Sequence, residues 1–226
     1  MALRLRELNP ETDYTYICTP TGDEFPDMFA HWRKIADMLG KPLTPITAHT
    51  SLNGLIKQYN ALPNWRQRWC TRVLKIEPYA AWLAQHSPCI SYVGLRADEE
   101  NEREGGDYSD VPGVEMRFPM QEWGWGIQEV WNYLDEKRIK IPQRTDCRRC
   151  FFQTIAEWFD FYKRDPEGYA EAEQQEESVG HTFRSPGRDT WPASLKGMRE
   201  EFDRGRKIPS AQFEMFGKLK CRVCRI

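Results

Sequence analysis

The stretch from Arg66 to Arg103, RQRWCTRVLKIEPYAAWLAQHSPCISYVGLRADEENER, constrains this chain more than any other. Four cations with no carboxylate among them (Arg66, Arg68, Arg72, Lys75) lead into an amphipathic helix, and a short apolar run, CISYVGL at Cys89 to Leu95, follows. A turn carrying Arg96, Glu99 and Arg103 closes the stretch. The apolar run is rich in β-branched and aromatic residues and too short for a helix, so it reads as a buried strand. Gly94 lets the backbone approach a ligand closely as that strand finishes. Open α/β sheets bind ligands outside the carboxyl ends of their strands, so Arg96, Glu99 and Arg103 are expected to face a phosphate or sulfate. Arginine suits that task because its planar fork donates bidentate hydrogen bonds to such anions. Pairing with nearby carboxylates is the competing reading for any single arginine.

The rest of the chain alternates in the same way. Residues Met1 to Leu8 read as a helix stopped by Asn9-Pro10, and YTYIC at Tyr14 to Cys18 reads as a strand. TGDEFPDMFAHWRKIADMLG supplies a turn and a helix, with Asp27 as N-cap, Phe29, Trp32, Ile35, Ala36 and Leu39 on one face, and Gly40 with Pro42 at the stop. A strand at Leu43 to Ala48, a helix opened by Ser51, an edge strand VEMRFPM and a helix with Ile127, Val130, Trp131 and Leu134 on its apolar face complete the body. The fold class is therefore α/β, a parallel sheet with flanking helices over residues 1–142. Residues 143–226 read as a mainly helical, cysteine-containing module.

Length and charge bound the function. A chain of 226 residues buries one core, or a core and a small appended module. A net charge of -2 gives no global nucleic-acid signal, although residues 196–226 hold nine Lys or Arg against four Asp or Glu, a tail able to follow a nucleic-acid backbone. No run of 18 apolar residues exists, which argues against a membrane span. The charged N-terminus lacks a signal-peptide core, so a cytoplasmic location is expected.

In that setting seven cysteines are thiols or metal ligands rather than disulfides. Cys18 and Cys89 fall in strand-like runs and read as small core residues. Cys147 and Cys150 form one Cys-x-x-Cys pair and Cys221 and Cys224 another. Together they offer four thiolates for zinc or a [4Fe-4S] cluster. One structural or redox pair beside an incidental one is the alternative.

RWCTRVLKIEP, followed by a strand ending in VGLRADEENER, resembles the phosphoadenosine phosphosulfate reductase family of the PP-loop, or adenine nucleotide alpha hydrolase-like, superfamily. TGDEFPD at Thr21 to Asp27 and EVWNYLDEKRIKIP before a cysteine pair resemble two further segments of that family. The resemblance covers roughly residues 14–155. It implies an adenine nucleotide, ATP or one like phosphoadenosine phosphosulfate, with Mg²⁺ as a companion ion. The implied chemistry is sulfur transfer, reduction or release of pyrophosphate. Arg66, Arg68, Arg72, Lys75, Arg96 and Arg103 would neutralise the anion, with Asp23 and Glu24 facing the nucleotide or its metal. Several relatives hold an iron-sulfur cluster with cysteines at positions resembling Cys70, Cys147 and Cys150, which makes Cys70 an alternative ligand.

Two departures qualify the resemblance. The family's glycine-rich SGGKDS-type loop, which grips pyrophosphate, is absent from this sequence, and truncation, a misassigned start and true loss all stay open. The family's Glu-Cys-Gly-like catalytic motif is absent too. The alternatives are a catalytically dead nucleotide-binding or interaction protein, and a zinc-stabilised nucleic-acid-binding protein.

Overall fold

The structure is a computed structural model that describes residues 1–99, 107–142, 145 and 147–209. It opens with α1 (Ala2–Leu8), whose Leu5 is buried, and the chain turns at Asn9 into β1 (Tyr16–Cys18). Helix α2 (Pro26–Leu39) then returns the chain to β2 (Leu43–Pro45), which pairs parallel to β1 with Tyr16 opposite Leu43. Both strands are shorter than the apolar runs suggested. Ile46 still donates its N–H to Cys18 O at 2.8 Å, but the ladder stops there.

Two sequence expectations for α2 are corrected. Phe25, not Asp27, is the N-cap, because Pro26 takes the first helical position, where its missing N–H costs nothing. Asp27 falls in the first turn and pairs with Arg164 at 2.9 Å. Of the expected face, Leu39 is buried and Trp32, Ile35 and Ala36 are partly buried, but Met28 is inside in place of Phe29, which is 41 % exposed and packs edge-on against Trp32. Gly40 ends the helix as expected, with a left-handed φ of +68°.

Helix α3 (Leu52–Tyr59) is capped by Ser51, whose hydroxyl accepts the Gly54 N–H, and it buries Leu52, Leu55 and Ile56. The cation-rich run forms α4 (Trp69–Thr71), a π-helical turn (Arg72–Ile76) and α5 (Glu77–His86) as a nearly continuous rod. Pro78 explains the π turn: it has no N–H for the Leu74 carbonyl, and its ring crowds that carbonyl, so the ladder widens and Glu77 bonds back to Arg72. Strand β3 (Cys89–Tyr92) follows and pairs parallel to β4 (Val114–Arg117), with Cys89 opposite Val114. Among the described residues the parallel sheet is thus two two-stranded pairs. Cys18 and Cys89 are both only partly buried in them. A short α6 (Pro119–Glu122) and α7 (Ile127–Glu136) complete this half, and Lys137 reaches Glu7 on α1 at 2.7 Å.

Beyond residue 142 the described chain is helical. Helix α8 (Ile155–Arg164) starts from a Thr154–Glu157 capping box, α9 (Pro166–Val179) from Asp165 and α10 (Leu195–Asp203) from Ser194. Their aromatic residues are not a separate core. Trp158, Phe161, Tyr169, Phe183, Leu195 and Met198 pack in one cluster with Phe25, Leu52, Leu55, Ile56, Leu62 and Leu74. Residues on both sides of position 142 therefore share one buried interior.

Candidate functional site

The loop after β1 carries Thr21 to Glu24 and sits where a parallel sheet binds ligands. Gly22 takes φ +77°, and a β-carbon there would come within 3.2 Å of Ser51 Cβ. The turn wraps the Glu24 carboxylate. Thr21 N–H and its hydroxyl donate to one oxygen at 2.7 Å each, and Gly22 and Asp23 N–H donate to the other at 3.0 and 3.1 Å. Three successive N–H groups of this kind form a nest for an anion, and here the chain's own carboxylate fills it.

Asp23 faces the other way and is 1 % exposed. Its carboxylate accepts from Arg149 through the backbone N–H at 3.0 Å, Nε at 3.1 Å and Nη2 at 2.7 Å, and from Arg148 Nη2 at 3.1 Å. Arg149 is equally buried and donates further to Asn53 on α3 and Gln175 on α9. Both middle residues of the first Cys-x-x-Cys thus donate to one aspartate, and Arg148 also pairs with Asp165 at 2.5 Å. The backbone agrees: Arg148 N–H donates to Asp23 O at 2.8 Å, and Glu24 forms an antiparallel bridge with Cys147. No sequence signal pointed to Arg148 and Arg149 except their place between two cysteines. Asn53 and Gln175 had none.

The Cys-Arg-Arg-Cys turn closes through Cys150 N–H to Cys147 O at 3.3 Å, and Gln153 Nε2 bonds the carbonyls of Cys147 and Arg148. The two thiols are hydrogen-bonded, and this contact together with burial pushes the Cys147 thiol well above its usual range. Cys70, on α4, is raised by burial and by its nearness to Cys150. Lys75 lies close enough to act on both Cys70 and Cys147. Three of the expected metal ligands thus lie in one neighbourhood, and soft sulfur donors suit zinc or an iron-sulfur cluster. Among the described residues, however, no three His, Cys, Asp or Glu side chains are gathered tightly enough to hold an ion. Cys221 and Cys224 lie outside the described residues.

The remaining cations are dispersed. Arg66 stacks over Trp65 at 4.7 Å, Arg68 lies over the Phe152 ring at 5.4 Å, and exposed Arg72 pairs with Glu77 at 3.1 Å. At the end of β3, Gly94 packs against Met120, with a β-carbon position 3.5 Å from its methyl group. Arg96 pairs with Asp98 at 2.8 Å and with the buried Glu99 at 3.1 Å, so Glu99 anchors the arginine. Arg103 lies outside the described residues. So do residues 210–226 of the basic tail; within its described part Lys196 pairs with Glu177, Arg199 with Glu173, and Arg204 and Arg206 with Glu201.

The structure therefore joins Asp23 and Glu24 to the Cys147–Cys150 turn, and brings Cys70 and Lys75 to the same place. Among the described residues, no helix is long and apolar enough to cross a membrane. A family model described as the phosphoadenosine phosphosulfate reductase domain matches residues 2–144. None of the curated proteins matches the chain.

Proposed function

The chain belongs to the phosphoadenosine phosphosulfate reductase domain family, and from that premise we propose that it binds an adenine nucleotide at the loop after β1 and acts on its sulfate or phosphate. The reaction class is sulfur transfer, reduction or release of pyrophosphate. The observation that carries this reading is the docking of the Cys147–Cys150 turn on that loop through the Glu24–Cys147 bridge, with Lys75 near Cys70 and Cys147 and Arg68 over the Phe152 ring. Lys75 and Arg68 would neutralise the anion, with Arg66 and Arg72 as outer contacts on the same helix entry. Arg96 and Arg103 belong to the second loop and would meet the other end of the nucleotide. Cys147 and Cys150 would supply two thiolates for zinc or a [4Fe-4S] cluster, with Cys70 or the Cys221–Cys224 pair completing the set.

The Glu24 nest favours a second reading. Its N–H donors are already satisfied, so an anion must displace a carboxylate to use them. A nucleotide-binding or interaction protein without catalysis follows if that carboxylate stays. Calorimetric titration of the full chain with ATP and with phosphoadenosine phosphosulfate tests the nucleotide site, and assaying release of pyrophosphate or sulfite from the bound nucleotide separates the two readings. Binding that weakens at least about tenfold in Lys75→Ala or Arg68→Ala, as expected for a lost charge-assisted hydrogen bond, supports the site. Equal affinity in both variants, or no binding of either nucleotide, overturns it.

A further inference from the structure

We propose that Cys147 and Cys150 are a reversible dithiol–disulfide couple, and that Asp23 is the positioning residue that holds their turn ready to close. The Cys147 O to Cys150 N–H bond at 3.3 Å makes the segment a β-turn, which keeps the two Cα atoms within about 7 Å. That lies at the edge of the span a disulfide bridges without moving the backbone. The two thiols lie within hydrogen-bonding reach of each other.

The turn is held from outside itself. Asp23 grips Arg148 and Arg149 with its carboxylate and Arg148 N–H with its carbonyl. Gln153 ties down the two carbonyls on the other side. A turn fixed by contacts buried in the protein loses little further entropy when the sulfurs join, which raises their effective concentration toward each other. Cys147 is the less buried residue of the two, and Cys150 is 6 % exposed.

With a small disulfide R–S–S–R as oxidant, the Cys147 thiolate attacks one sulfur and releases RS⁻, leaving a mixed disulfide. The Cys150 thiolate then attacks the Cys147 sulfur, forms the internal disulfide and releases the second RS⁻. Two protons leave the protein thiols, two electrons pass to the oxidant, and two RSH result. Closure also removes both sulfurs from any metal, so ion binding and the disulfide are exclusive states of one turn. Through the Glu24–Cys147 bridge the change reaches the loop after β1. None of this depends on nucleotide binding.

The test equilibrates the full chain with mixtures of oxidised and reduced glutathione, traps free thiols by alkylation and digests with trypsin. Arg148 and Arg149 lie between the two cysteines, so the reduced chain yields separate peptides and the closed turn yields a linked pair. A Cys147–Cys150 link that dithiothreitol reverses is the expected result. No link at any ratio, or a Cys70–Cys150 link in its place, overturns the couple. In Asp23→Asn the closure constant is expected to fall about tenfold, or about 30 mV for two electrons. Gln153→Ala, which frees the same turn from its other side, is expected to lower it too and serves if Asp23→Asn does not fold. An unchanged constant in the folded variants overturns the positioning role.

Discussion

Asp23 and Arg149, 126 positions apart in sequence, form an ion pair at 2.7 Å in which both side chains are 1 % exposed. The pair lies between the loop after β1 and the first Cys-x-x-Cys, and it continues through Asn53 and Gln175 to α3 and α9. It fastens the sheet-bearing half of the chain to the helices that follow.

Breaking that pair from one side is expected to be costly. Asp23→Asn leaves the buried Arg149 guanidinium with only the half-exposed Glu171 carboxylate at 3.5 Å, a loss of about 3–5 kcal/mol. The double variant Asp23→Leu with Arg149→Met removes both charges and is expected to lose less than the sum of Asp23→Leu alone and Arg149→Met alone. Urea unfolding of the four proteins of this cycle measures the coupling, and additive losses would contradict a direct pair.

Gly22 is held by conformation and by space. Gly22→Ala forces a β-branchless but chiral residue to φ +77° and brings its methyl within 3.2 Å of Ser51 Cβ. The left-handed penalty is about 1–2 kcal/mol. Thermal unfolding of Gly22→Ala beside Gly187→Ala, where φ is +72° and nothing lies within 4 Å, separates the two causes: only the former should show the added crowding.

Trp158 tests the shared core. It is 0 % exposed and touches the Phe161, Tyr169 and Phe183 rings. Trp158→Ala is expected to cost about 3–5 kcal/mol. Since Leu55, Ile56 and Leu74 belong to the same cluster, the loss should appear in one cooperative transition for the entire chain. Two calorimetric transitions, with only the later residues affected, would show that the halves fold separately.

Glu176 makes stability depend on pH. Burial outweighs the N–H bonds it accepts from Leu195 at 2.7 Å and Phe183 at 2.8 Å, and its carboxyl is pushed up to about 7 from 4.5. Glu173 adds to the rise and Arg184 opposes it. The folded state therefore holds a proton that the unfolded state releases between those values. The stabilisation is fully present below about pH 4.5 and is lost as pH rises through about 7, an effect on the order of 3 kcal/mol. Melting temperature measured from pH 5 to 8 should fall less steeply in Glu176→Gln than in the parent; parallel curves would assign the slope to other groups.

Most of the local structure was legible in the residues. The Ser51 cap, the Gly40 stop and the strand at Cys89 appear where periodicity and end signals place them, because these depend on neighbours within a few positions. The family resemblance was legible for the same reason: its motifs are contiguous runs, and the matched family spans residues 2–144. The π turn at Arg72–Ile76 was hidden, although Pro78 was its cause in plain view.

The site was less legible, because charge placement is a matter of distant partners. Asp23 and Glu24 are adjacent acids in one turn, and the sequence treats them alike. In the structure one is buried against Arg149 and the other caps its own loop's N–H groups. The residues alone determined which segments are helix or strand, where they stop, and that cysteines and cations are available for chemistry. Only the tertiary structure decided which cations stay near the thiols, that Phe29 faces outward, and that the Cys147–Cys150 turn is docked on Asp23. Local conformation follows from hydrogen bonds and sterics within one or two turns. The burial of a charge is tolerable only where a partner from elsewhere in the chain offsets its lost hydration, and that partner is chosen by folding.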